Sequence, residues 1–126
     1  MLGDKNVAAV VAVKDMDTAK GFYEDKLGLK AEKSDPGGGN LYKSGNSYIL
    51  VYPSQYAGTN QATAAGWDAG DDLEKIVDDL KSKGVTFEHY DMPGTKLEGD
   101  IHVMGELKAV WFKDPDGNIL NLTSGM

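Results

Sequence analysis

The order of elements in this chain repeats, and the repeat restricts the possible folds more than any single motif does. Residues 7–13 form a continuous apolar run with valine at four of the seven positions, which suits a strand buried on both faces. Lys14-Asp15-Met16-Asp17 then supplies N-cap chemistry for a helix. Ala19, Phe22, Tyr23 and Leu27 follow at helical spacing, and Gly28 is placed as the stop. Strands are expected at 29–33, 41–43 and 48–52, separated by the loop 34–40 and by Ser44-Gly45-Asn46. After a polar connector the order begins again. Residues 63–69 read as a strand, Asp71-Asp72 as a cap, and Leu73, Ile76, Val77 and Leu80 as the buried stripe of a helix that Gly84 ends. Residues 85–90 read as a strand and 95–105 as a loop. A hairpin of 108–113 and 118–123 turns on Asp114-Pro115-Asp116-Gly117-Asn118, where proline fixes φ and Gly and Asn tolerate positive φ.

Each half is therefore βαβββ. One such half would leave a face of its sheet bare, since a single helix covers only the other face. Two halves side by side give an α+β domain with a curved mixed sheet around a cleft and the helices outside. The 126 residues form one domain, with module one at about 7–53, a linker at 54–62 and module two at 63–124.

A net charge of −7 argues against nucleic acid, whose phosphates need a basic surface. It is compatible with a cationic small-molecule ligand. No cysteine is present, which removes disulfides and thiolate chemistry. No run reaches the roughly 18 apolar residues of a membrane span, and the first residues lack the apolar stretch of a signal peptide. These features suit a cytoplasmic protein.

Period-two alternation assigns faces to the cleft strands. If Asn121 points inward, so do Ile119 and Thr123, and across the hairpin Ala109 and Trp111. The same parity turns Ala65, Trp67 and Ala69 inward. The cleft is then expected to carry two tryptophans over a floor of Ala, Val and Asn, a surface for a flat or apolar ligand. The two histidines, His89 on a strand and His102 in the 95–105 loop, are candidates for substrate contact or proton transfer, with a structural role as the alternative. Residues 90–94 read either as a lid over the cleft or as the turn after a strand. Gly37-Gly38-Gly39 lacks the strand-to-helix setting and lysine of a phosphate loop.

Two stretches carry a family resemblance: Val13-Lys14-Asp15-Met16-Asp17 with Phe22-Tyr23-Glu24-Asp25-Lys26-Leu27-Gly28-Leu29, and Phe112-Lys113-Asp114-Pro115-Asp116-Gly117-Asn118. Together with the repeat they make the chain resemble the vicinal oxygen chelate superfamily of glyoxalases, bleomycin-resistance proteins and extradiol dioxygenases. The resemblance implies metal ligands near the start of each module's first strand and the end of its last. Motif spacing places these at Ala8, Val51, Ala65 and Asn121, of which only Asn121 offers a side-chain donor. The expectation is a homodimer without a metal cofactor that binds a small organic molecule, aromatic or cationic, through Trp67, Trp111, Asn121, His102, His89 and Val51. The alternative is a lyase, isomerase or dioxygenase of the same superfamily, metal-independent or metal-dependent.

Overall fold

The computed structural model describes residues 1–34 and 36–125; in it the two halves close on one apolar core. The first sheet contains β1 (Ala9–Val13), β2 (Lys30–Ser34), β3 (Asn40–Ser44) and β4 (Ser47–Pro53) in the order β1-β4-β3-β2. β1 is parallel to β4 and the other pairs are antiparallel. In the second sheet β5 (Thr63–Asp68) runs parallel to β10 (Ile119–Ser124), which pairs antiparallel with β9 (Leu107–Lys113). Two elements share the outer edge of β9. β6 (Phe87–Glu88) pairs with its Trp111–Phe112 end, and β8 (Ile101–Met104), with β7 (Lys96–Glu98) beyond it, pairs with its Leu107–Ala109 end. The sheets meet where β1 and β5 run close together. Asp35, in the expected 34–40 loop, lies outside the described residues.

The helices form where capping and periodicity point. Asp15 caps α1 (Met16–Lys20) by accepting from Asp17 N–H at 3.1 Å and Thr18 Oγ1–H at 2.7 Å. α1 runs on as a wider π-helical segment over Gly21–Lys26 that buries Phe22 and Tyr23. α2 (Leu73–Ser82) follows a 3-10 turn, Gly70–Asp72, and buries Leu73, Val77 and Leu80. Asp72 stands at the N-cap position of α2 but makes no side-chain capping bond there, so the expected cap is occupied without being used. No helix among the described residues is long and apolar enough to cross a membrane.

Two further expectations are corrected. β1 is buried on one face only: Val11 and Val13 enter the core while Val10 stays 57% exposed. The valine run reflects strand propensity rather than cover on both sides. Residues 95–105 are not a loop, since they contain the β7–β8 hairpin. Its two-residue connection is Gly99-Asp100, and a second one, Gly105-Glu106, leads into β9. Both open on a glycine at positive φ, 64° and 60°, the conformation such tight hairpins require.

The Asp114–Asn118 turn does more than reverse the chain. Asp114 is only 5% exposed, and its carboxylate accepts four hydrogen bonds. The donors are Asp116 N–H and Asn118 N–H to Oδ1, and Tyr23 Oη–H and Asn118 Nδ2–H to Oδ2. A buried charge with its acceptor capacity filled is tolerated where a bare one would not be. Asn118 Nδ2 also donates to Ala12 O at 2.7 Å, and Asp116 Oδ2 accepts from Lys14 N–H at 3.1 Å. The turn of module two thus holds the end of β1 in module one. On the other side of the repeat, Trp67 Nε1–H donates to Ser44 Oγ at 3.0 Å, so β5 of module two meets the β3–β4 turn of module one.

Candidate functional site

The face of the second sheet turned away from the helices is set by pairing register. Asn121 lies opposite Trp111, Thr123 opposite Ala109 and Ile119 opposite Lys113, while Leu120, Leu122, Val110 and Phe112 turn to the core. The expected alternation holds on β9 and β10. Trp111 forms the floor of a cleft of about 730 Å³ together with Ile119. Its indole Nε1–H donates to Thr63 Oγ1 at 3.2 Å, which fixes the ring from the β5 side. Tyr90 stands nearly perpendicular to it, 77° between planes and 5.5 Å between centroids. Met92 continues this wall, and Gly58 and Asn60 to Ala62 of the linker form the opposite one. Within residues 90–94, Tyr90 and Met92 line the cleft, while the chain turns at 92–95, where Thr95 N–H donates to Met92 O at 3.2 Å. Gly58 allows the linker to approach closely, because a Cβ there would collide with Asp116 O. Glu88 and Lys113 line the cleft as an ion pair at 3.5 Å.

β5 departs from the expected parity. Thr63 pairs with Ile119 and shares the cleft face, but the register shifts by one residue before Ala65 pairs with Leu120. A single-residue bulge sends every later side chain to the opposite face. Trp67 consequently pairs with Leu122 and packs on the core side with Ala65 and Ala69, and Gly66 takes the place opposite Asn121. The two tryptophans lie on opposite faces of the sheet. Val51 is likewise misassigned: it is fully buried in the core beneath α1, and its β4 neighbours Leu50 and Tyr52 alternate to the open face.

Both histidines flank the Trp111 wall without opening into the cleft. His102 sits on β8, is fully buried rather than loop-exposed, and meets Trp111 edge-on at 4.9 Å. Its Nε2 accepts the Tyr90 N–H at 2.9 Å, which leaves the ring proton on Nδ1 to donate to Ala109 O at 3.3 Å. With both nitrogens engaged, His102 holds the Tyr90 backbone and packs against Trp111. His89 follows β6 and bonds Asp100 Oδ1 at 2.8 Å, while Lys81 bonds Oδ2 at 2.9 Å. These two partners, His89 first, hold the Asp100 carboxyl below its usual range.

The donor set at the sheet centre does not fit a divalent metal. Val10 and Leu50 pair on the open face of the first sheet, Gly66 and Asn121 on that of the second, and Ala8 precedes β1. Asn121 is the one donor in this group, and its amide lies over Gly66, where any Cβ would collide with Oδ1. A lone neutral amide does not assemble the three or four ligands that zinc or iron requires. Among the described residues, no group of three His, Cys, Asp or Glu side chains has metal-ligand spacing.

The sequence placed Trp111, Asn121 and Ile119 on the inward face but not Thr63, Glu88 and Lys113. The β-branched Thr63 and Ile119 carried the same alternation as Trp111, so their place was readable from the hairpin register. The linker's contribution was not, because it depends on the Gly58–Asp116 contact between distant segments.

The family model for the Glyoxalase/Bleomycin resistance protein/Dioxygenase superfamily matches residues 6–122. No curated protein matches the chain. Among solved structures, an integron cassette protein from the mobile metagenome of the Halifax Harbour sewage outfall is 18% identical, with a TM-score of 0.72 over 97% of this chain and 99% of that one. A lactoylglutathione lyase from Agrobacterium tumefaciens is 18% identical, with a TM-score of 0.72 over 97% of this chain and 94% of its own. The fosfomycin resistance protein FosX from Listeria monocytogenes is 14% identical, with a TM-score of 0.71 over 95% of this chain and 92% of that one. At such identities the likeness is one of fold.

Proposed function

The chain belongs to the glyoxalase/bleomycin resistance protein/dioxygenase superfamily, and within it we propose a protein that binds a small, planar organic molecule in the Trp111 cleft without a metal cofactor. The observation that carries this reading is the aromatic corner of Trp111 and Tyr90, fixed by Thr63 and His102, over a cleft of about 730 Å³. That volume lies within the usual small-molecule range of about 300–1,000 Å³, and Asn60, Gln61, Thr63, Glu88 and Lys113 set polar walls around the two rings. A corner of two perpendicular rings accepts a flat ligand by stacking on one ring and edge contact with the other. Glu88 is balanced by Lys113 within the cleft, so the preference for a positively charged ligand rests on the chain's net charge of −7 and on the indole face. Asn121 is the cross-strand neighbour of Trp111, next to the cleft rather than lining it, and offers an amide instead of a carboxylate.

A thermal-shift screen of planar amines, neutral heteroaromatics and planar acids tests this proposal. A ligand that binds the folded state raises its midpoint by mass action. Cationic planar compounds are expected to raise the midpoint most, with or without chelator. A shift restricted to metal-loaded protein would contradict the metal-free reading.

A further inference from the structure

We infer that a second cavity, on the helix-covered side of the second sheet, binds a small amphiphilic cation of the alkylammonium type. The cavity measures about 310 Å³, at the lower end of small-ligand pockets. Leu27 and Leu29, just past α1, form one wall and Ile76 of α2 the other, over a floor of Phe112 and Leu122, with Trp67 at the side. Leu27, Leu29, Trp67 and Ile76 are each only partly buried and face the same space, so an apolar ligand would remove all four from water at once. This space does not communicate with the Trp111 cleft, because the bulged β5 places Trp67 and Trp111 on opposite faces. It therefore stands independently of the function proposed above.

The mouth determines the ligand's charge. Asp68 and Asp72 both border the cavity and are exposed. Asp68 Oδ1 accepts the Gly70 N–H at 3.1 Å, and Asp72 makes no capping bond. The start of α2 contributes about half a positive charge, less than the two carboxylates carry. The mouth is negative on balance, and no lysine among the described residues lines it. An ammonium group at the mouth with its chain between Leu29 and Ile76 satisfies both parts of the cavity. A fatty acid of the same length would bring like charges together. Trp67 Nε1–H is already committed to Ser44, so its ring offers an apolar face rather than a donor.

The test uses Trp111→Phe protein, in which Trp67 is the remaining tryptophan of the two in the chain. Octylammonium, octanol and octanoate are titrated separately while Trp67 emission is followed. The expected result is a saturable change with octylammonium, at least tenfold weaker with octanoate. Asp68→Asn combined with Asp72→Asn should bring octylammonium down to the affinity of octanol. Equal binding of octanoate, an unaltered octylammonium affinity in the double variant, or a non-saturating response would overturn the assignment. So would a response that vanishes as protein concentration rises in step with a doubling of mass, because a second copy of the chain would then cover the cavity.

Discussion

Tyr23 Oη–H donates to Asp114 Oδ2 at 2.8 Å, joining α1 of the first module to the turn of the second across 91 residues of sequence. Burial first, and the Asp114 charge second, push the Tyr23 phenol well above the usual tyrosine range. Replacing Tyr23 with Phe removes one of four donors to a buried carboxylate. A hydrogen bond to a charged group contributes about 1.5–3 kcal/mol, and urea unfolding should lose an amount in that range. Tyr42, buried and donating to Glu24, is pushed up to about 12, chiefly by burial. Both phenols keep their protons in the fold at a pH where the unfolded chain releases them. Their contribution is therefore complete below pH 10.0, the ordinary tyrosine value, and falls as pH rises above it. Unfolding midpoints measured from pH 8 to 11 should decline above about 10, and less steeply in Tyr23→Phe. An identical slope in both proteins would count against the linkage.

Gly66 and Asn121 provide a second check on register. Gly66→Ala should destabilise by about 1–3 kcal/mol, because the new methyl meets the Asn121 amide in a packed pair. Asn121→Gly in the same chain should recover most of that loss. If Gly66→Ala is neutral, the bulge in β5 has been placed wrongly.

That bulge marks the limit of what sequence alone could supply. The repeat, both helices and the Asp114–Asn118 turn were legible because capping, glycine stops and alternation are local signals. Faces on β9 and β10 followed from a tight hairpin of defined register. Trp67 was assigned to the wrong face because one extra residue in β5 inverts parity without any marked residue at the site. The β7–β8 hairpin had a signal in Gly99-Asp100 and Gly105-Glu106, spaced around a short strand. Its strands of three and four residues hold their shape because β8 pairs on the β9 edge and β7 on β8, which sequence does not display. His102 looked exposed for the same reason.

Val7, Val10 and Tyr48 are 89%, 57% and 37% exposed on or beside the first sheet. An apolar strand face left open in one chain is cover for another. Light scattering coupled to size exclusion should give twice the 13.5 kDa chain mass, and Val10→Lys should shift it toward a single chain. A mass of one chain at tens of micromolar for the parent would contradict the dimer.

Purified protein dialysed gently should carry zinc, nickel, manganese or iron well below one per chain, because Asn121 alone supplies a side-chain donor at the sheet centre. Elemental analysis decides this. One equivalent of metal that survives dialysis and leaves on substitution of His89 or His102 would place a metal centre where the present account has none.

The most direct test of the central claim is calorimetric titration of chelator-treated protein with acridine orange, a planar cation, using the parent and Trp111→Ala. Unfolding midpoints are measured beside each titration so that lost binding is not confused with lost fold. One saturable site per chain is expected in the absence of metal, weakened in a folded Trp111→Ala protein by about 1–3 kcal/mol, the range of a buried aromatic anchor. Asn121→Asp should instead strengthen it modestly, by adding a negative charge on the strand position opposite Trp111. Binding that appears only when metal is restored, or that is equally tight in the parent and Trp111→Ala proteins, would contradict the claim.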